Sequence, residues 1–232
     1  MVKYTQEIEV RYSDIGPEGY ADVAQIMTWF QDAATSQSHF VGYGANALRA
    51  MGAAWIVLHW DIRMYAHARH MEKLKVSTWA SGFASMYGHR MFTLENEAGE
   101  LIAEAESVWI LYDMQNNKFM KATEEICTAY GCDVKMPMDV LRKWKLSVPA
   151  SPTHQASWTV RRSDTDTNQH TNNVSYVKFL IDSLEKGGEV RHVRVTYKKA
   201  LFLHETAQLL LDATSGAILR GDEICTLFEF EY

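Results

Sequence analysis

Apolar residues recur along this chain at two different periods, and stretches of the two kinds follow one another in order. Val23, Ile26, Met27, Phe30, Ala33 and Ala34 fall at i, i+3, i+4 and i+7 spacing behind Asp22, a suitable cap, and predict an amphipathic helix. Asn172 and Asn173 can cap a second helix, with Val174, Val177, Leu180, Ile181 and Leu184 on its apolar face and Gly187-Gly188 expected to end it. Strand-like segments follow each helix: Trp55–Met64, Glu72–Phe83, His89–Asn96 and Leu101–Tyr112 after the first, then Val190–Lys199, Ala207–Thr214, Ala217–Leu219 and Ile224–Tyr232 after the second. Ala98-Gly99, Asn116-Asn117, Ser215-Gly216 and Gly221-Asp222 are turn-forming pairs suited to antiparallel hairpins. In the last strand Phe228, Phe230 and Tyr232 alternate with Glu229 and Glu231.

The two halves repeat each other. Val10-Arg11-Tyr12-Ser13-Asp14 returns 150 positions later as Val160-Arg161-Arg162-Ser163-Asp164, and the same offset pairs Asp32 with Asp182. Pro137, Pro149 and Pro152 stand between the copies, where the hydrophobic pattern is least regular. The expectation is a tandem α+β protein: residues 1–130, a linker over 131–157, and residues 158–232. Each half wraps an antiparallel sheet around one long helix, with the two sheets free to pack as a pseudo-dimer.

Composition narrows the function classes. Of 232 residues 47% are hydrophobic and only 17 are Gly or Pro, a globular composition. The start, MVKYTQEIEV, lacks a basic region followed by an apolar one, and no run approaches about 18 apolar residues, so neither an export signal nor a membrane span is expected. Cys127, Cys132 and Cys225 are odd in number and carry no ligand or nucleophile motif, which suits a reducing cytoplasm and small structural side chains. The net charge of −6 argues against nonspecific nucleic-acid binding, yet Lys135 to Lys199 holds twelve Lys or Arg against six Asp or Glu. That segment reads either as a solvated face or as a contact for an acidic partner through Arg161, Arg162, Lys198 and Lys199.

The halves differ in the loop before the helix. The offset of 150 sets Gly16 against Asp166, Glu18 against Asn168 and Tyr20 against His170, so only the second copy carries a carboxylate, an amide and an imidazole. Asp164, Asp166 and Asn168 occupy positions 1, 3 and 5 of a calcium loop, but Gln169 and Ser175 stand where Gly and Glu are needed. An Asx-turn with helix capping explains Asp164, Asn172 and Asn173. In an extended segment Asp166, Asn168 and His170 would share one side at a helix N-terminus, an arrangement suited to acyl transfer.

The segment Asp164-x-Asp166-x-Asn168-x-His170-x-Asn172-Asn173-x-x-Tyr176 resembles the signature of hot-dog-fold thioesterases, close to that of acyl-acyl carrier protein (acyl-ACP) thioesterases. Trp55 through Met64, Thr78-Trp79-Ala80-Ser81-Gly82, Arg90-Met91-Phe92 and Ala105-Glu106-Ser107-Val108-Trp109 are similar in type and order to that family's first half. The resemblance implies a double hot-dog enzyme that hydrolyses a fatty acyl thioester on the phosphopantetheine arm of acyl carrier protein, without metal or organic cofactor. Asp166, Asn168 and His170 match the family's catalytic residues. Asp166 would be base or nucleophile, Asn168 would orient it or the water, and His170 would polarise the carbonyl or assist the leaving thiolate. Asn172, Asn173, Tyr176, Trp55 and Trp60 are expected to contact substrate, the first half holding much of the acyl pocket.

One stretch departs from the pattern. Where the family carries an Arg-Arg-Glu-Cys-like sequence, this chain has Tyr197-Lys198-Lys199-Ala200-Leu201, without a second acid or thiol. Acyl-CoA thioester hydrolysis, a hot-dog hydratase or dehydratase and a non-catalytic acyl-chain binding module are the alternatives, and a homodimer is left open. The hydratase loop spaces its residues D-x-N-P-x-H, unlike Asp166-x-Asn168-x-His170. Release of free thiol separates the hydrolases from the rest.

Overall fold

The computed structural model describes residues 2–84, 86–132 and 145–232. The expected helices form. In α1, Val23–Phe40, Asp22 accepts a hydrogen bond from the Gln25 backbone N–H at 2.8 Å. The helix runs six residues past Ala34 because its buried stripe continues through Gln37, a polar residue that hydropathy does not assign to a core face. Two short helices follow, α2 at Ala45–Ala50 and α3 at Glu124–Ala129. In α4, Asn173–Ser183, the Asn172 side chain caps Val174 N–H at 2.9 Å. This helix stops short of the Gly187-Gly188 pair expected to end it. Gly187 instead opens a 3₁₀ turn that folds back so closely that a Cβ there would lie 1.9 Å from the Ile181 carbonyl oxygen.

Thirteen strands are present among the described residues: β1 Tyr4–Glu9, β2 Tyr20–Ala21, β3 Ala53–Met64, β4 Ala68–Arg69, β5 Lys73–Ala84, β6 Tyr87–Asn96, β7 Leu101–Asp113, β8 Lys118–Met120, β9 His154–Thr159, β10 His192–Tyr197, β11 Thr206–Leu211, β12 Ser215–Arg220 and β13 Glu223–Glu231. Ser215-Gly216, expected as a turn, lies inside β12. The turn is Asp212–Thr214, where the Asp212 carboxylate accepts from the N–H groups of Thr214 and Ser215 at 2.9 and 2.7 Å. Four residues of β9 fall within the stretch read as linker. Residues 133–144, including Lys135 and Pro137, lie outside the described residues.

The sheet order is β1-β5-β6-β7-β3-β10-β13-β12-β11-β9, with β8 beside β7 and β2-β4 forming a separate ribbon. The two halves pack as the expected pseudo-dimer, and the contact is between sheet edges. They join edge to edge into one antiparallel sheet through β3 and β10, in register Arg63↔His192, Asp61↔Arg194 and His59↔Thr196. The twelve-residue β3 has one edge taken by β7, and pairing with β10 satisfies its other row of backbone groups. Side chains reinforce this seam: His192 Nε2 lies 2.7 Å from Asp61 Oδ1, and Arg63 Nη2 lies 3.3 Å from His192 Nδ1. One apolar core spans both halves, with Phe30, Trp60 and Phe92 from the first and Trp158, Val195 and Phe228 from the second.

Reading outward from the seam, β3-β7-β6-β5-β1 mirrors β10-β13-β12-β11-β9. Local bonds repeat as well. Arg11 N–H donates to Asp14 Oδ2 at 2.9 Å and Arg161 N–H to Asp164 Oδ2 at 2.8 Å, while Gly16 N–H reaches Tyr20 O at 3.0 Å and Asp166 N–H reaches His170 O at 2.8 Å. Met71 and His204 both have φ of 69°, each N–H donating to the valine carbonyl, Val10 or Val160, that directly follows the matching strand. The duplication thus extends to individual hydrogen bonds.

Candidate functional site

The loop before α4 is a tight turn, not an extended strand. Asp166 and His170 exchange a backbone bond, Thr165 and Thr171 form a bridge, and Gln169 takes a left-handed φ of 64°. Asp166 Oδ1 accepts from the N–H groups of Asn168 at 2.8 Å and His170 at 3.2 Å. No hydrogen bond among the described residues engages Oδ2. Asn168 Oδ1 accepts from Arg49 Nη2 at 3.1 Å, which leaves its amide nitrogen as the unused donor. At the helix end, Gln31 Nε2 donates to Asn172 Oδ1 at 3.3 Å and Gln31 Oε1 accepts from Asn173 Nδ2 at 3.5 Å. Residues of the first half thus hold both ends of the second half's loop.

Asp166, Thr167, Asn168, Asn172 and Asn173 form one wall of a cavity of about 410 Å³. The opposite walls come from the first half: Ala34, Leu48, Trp55, Phe83 and Trp109 are apolar, with Gln31, Arg49, His89, Arg90 and Tyr130 among the polar members. Trp55 stacks near Phe83, ring centroids 6.2 Å apart. Arg90 is buried, and its Nη1 donates to Gln37 Oε1 and, at 3.1 Å, to Thr78 Oγ1. Burial pushes this guanidinium down to about 10, so it stays cationic at neutral pH.

The family models settle the relationship. Residues 1–130 match the acyl-ACP thioesterase N-terminal domain and residues 149–215 the acyl-ACP thioesterase C-terminal domain. The chain belongs to the acyl-ACP thioesterase family. It is 22% identical over 228 residues to the chloroplastic oleoyl-acyl carrier protein thioesterase of Coriandrum sativum, covering 91% of this chain and 58% of that protein. It is 24% identical over 192 residues to the chloroplastic palmitoyl-acyl carrier protein thioesterase of Gossypium hirsutum, covering 78% and 46%. The chain spans about half the length of these curated relatives. Among solved structures, an acyl-ACP thioesterase from Bacteroides thetaiotaomicron superimposes with TM-score 0.83 at 18% identity, covering 99% of this chain and 98% of that one. The 12:0-ACP thioesterase from Umbellularia californica gives 0.84 at 16%, covering 99% and 96%. The shared fold is the double hot-dog.

Within this acyl-ACP thioesterase fold, Asp166, Asn168, Asn172, Asn173 and Trp55 meet at the cavity, whereas His170, Tyr176 and Trp60 are not among its lining residues. His170 is exposed, its ring set edge-on to Phe202 at 5.2 Å. Tyr176 is buried in the core, where its hydroxyl accepts from Leu201 N–H at 2.8 Å and burial raises it to about 12. Trp60 is fully buried, stacked on Phe92 at 4.8 Å. Leu201 is also core, and Glu205 is held by Arg220 at 2.6 Å. Of the four cations expected at a partner surface, Arg162 and Lys198 are exposed, Arg161 lies 3.6 Å from Asp164, and Lys199 lies 4.0 Å from Glu223.

Arg49 and Gln31 carry no motif and escape the sequence reading. The signal available for Gln31 is its place beside the apolar stripe of α1. Cys132 and Cys225 are buried, and burial raises the thiols of Cys127 and Cys225, so neither has the depressed pKa of a nucleophile. Among the described residues no three ligating side chains gather at a metal site, and no helix is long and apolar enough to cross a membrane.

Proposed function

We propose that the chain hydrolyses fatty acyl thioesters carried on the phosphopantetheine arm of acyl carrier protein, and needs no metal or organic cofactor. The observation that carries this reading is a single cavity bounded by Asp166 and Asn168 on one side and the apolar residues of the first half on the other. The acyl chain lies against Trp55, Phe83 and Leu48, and the thioester carbonyl sits at the Asp166 turn. Asp166 Oδ2 takes a proton from water as the water oxygen bonds to the carbonyl carbon, or attacks that carbon itself. Asn168 Nδ2 donates to the oxygen on which negative charge develops. Collapse breaks the C–S bond and releases pantetheine thiolate, a good leaving group that takes up a proton; the free acid leaves directly where water attacked, and after a water hydrolyses the acyl–Asp166 anhydride where the carboxylate attacked. His170 acts through its backbone N–H, which holds Asp166 Oδ1. The free thiols suit a reducing, cytoplasm-like compartment.

The test is thiol release by purified protein from matched acyl-ACP and acyl-CoA. Faster release from the carrier protein supports the reading. Release from CoA alone moves the substrate class, and no thiol from either overturns the assignment.

A further inference from the structure

The reacting loop belongs to the second half, yet the orientation of its amide is set from the first. Asn168 is fixed at its backbone by Asp166, whose Oδ1 accepts its N–H, and at its side chain by Arg49, whose Nη2 donates to Oδ1 at 3.1 Å. Arg49 is the single charged side chain that hydrogen-bonds to Asn168 or Asp166 among the described residues, and all three line the same cavity. The helix that carries it is well anchored. Gly44, before α2, approaches α1 so closely that a Cβ would lie 3.0 Å from His39 Cα, and Leu48 is buried in an apolar cluster with Ala53, Leu111 and Tyr130. With Leu48 packed inward, the adjacent Arg49 turns toward the loop.

We propose that Arg49 is a positioning residue for thioester hydrolysis: by binding the Asn168 carbonyl oxygen it selects the amide rotamer whose NH₂ faces the reacting carbonyl. An asparagine amide has two nearly isosteric orientations, one a donor toward the cavity and one an acceptor there. Only the donor stabilises a developing oxyanion, and a charged donor on the opposite atom fixes the choice more strongly than a neutral one. This role makes the first half part of the reacting site as well as the acyl pocket. It rests on the proposed hydrolase activity.

A guanidinium at a cavity mouth could instead bind the phosphate of a phosphopantetheine arm, and the experiment separates the two. Hydrolysis of a phosphate-free N-acetylcysteamine thioester is compared in wild type, Arg49→Ala, Asn168→Ala and the double variant, with folding checked by thermal melting. Positioning predicts that Arg49→Ala lowers kcat by at least about tenfold with little change in KM. It further predicts no additional loss when Asn168 is already absent, and partial rescue of Arg49→Ala by added guanidinium ion. A loss seen only on substrates with a phosphate, a loss that adds fully to that of Asn168→Ala, or no loss at all overturns the role. Should Arg49→Ala fail to fold, Arg49→Met, which keeps the apolar stem without a donor, replaces it, and wild-type kcat in that variant overturns the role. An inactive wild type overturns the hydrolase reading and this role together, whereas an active wild type with an unaffected variant overturns the role alone.

Discussion

The two oxygens of Asp166 have different surroundings, and different substitutions separate the structural role of one from the chemical role proposed for the other. Oδ1 accepts the N–H groups of Asn168 and His170 and closes the turn, whereas Oδ2 has no protein partner among the described residues. Asp166→Asn keeps an acceptor for both N–H groups and removes the base or nucleophile, so turnover is expected to fall at least about a hundredfold with the melting temperature nearly unchanged. Asp166→Ala should lose activity to the same degree and some stability as well. Near-normal kcat in the Asn variant sinks the assignment. His59 offers a test of a different kind. It sits on β3 at the seam, with Nδ1 3.0 Å from Thr196 Oγ1, and burial, with a smaller contribution from Lys198, pushes it down to about 4 from the usual 6.5. Between those values the unfolded chain binds the proton and the folded one does not, so stability is full above about pH 6.5 and declines as pH falls toward about 4. The contribution is at most about 3 kcal/mol. Urea midpoints measured across this window should show a shallower acid slope in His59→Gln, and an unchanged slope would remove His59 from the acid response.

At the scale of elements, the α4 N-terminus is where the helix cap meets the cavity wall. Asn172 Oδ1 accepts from Val174 N–H and from Gln31 of α1. Asn172→Ala is expected to cost about 1 kcal/mol from the cap, a drop of about 2–4 °C in a domain of this size, and to lower kcat by loosening the wall that carries Asp166. A variant with wild-type melting and wild-type kcat would show that the cap is held by other groups. The helices, and most strands to within a few residues, were legible because their apolar periods are local properties of the sequence. The repeat is legible too, and it extends to backbone conformation. The offset of 150 that pairs Gly16 with Asp166 also pairs Gly19 with Gln169, and both residues have left-handed φ, 82° and 64°. A glycine at that position in the other copy marks a turn, which sets the backbones of residues 166 and 170 opposite each other. Trp60 and Tyr176 were misplaced because residue type does not say which face of an element borders a cavity and which borders the core. Arg49 was invisible because its partner is 119 residues away.

On the scale of the whole molecule, the seam and the charge distribution set how a partner would meet the site. The total charge is −6, yet Arg161 and Arg162 lead directly into the loop that carries Asp166, and Lys198 and Lys199 precede Leu201, whose carbonyl accepts the Thr171 N–H at 2.9 Å. Both basic pairs are thus tied to the loop that carries Asp166, and Arg49 adds a further exposed cation at the cavity. Arg161 and Lys199 have acidic neighbours, which leaves Arg162 and Lys198 as the exposed cations without an ion pair among the described residues. Exposed charges of this kind act mainly on the rate of encounter with an acidic carrier protein and are screened by salt. Activity on acyl carrier protein substrate is therefore expected to fall as ionic strength rises from about 0.05 to about 0.5 M, over which the screening length shrinks severalfold. Activity on a short acyl-pantetheine thioester should change little. Charge reversal at Arg162 and Lys198 should raise KM for the carrier protein substrate with kcat nearly constant, since neither residue lines the cavity. An identical salt response for both substrates, or unchanged carrier-protein kinetics after charge reversal, would make the basic segment a solvated face and move the docking surface elsewhere on the molecule.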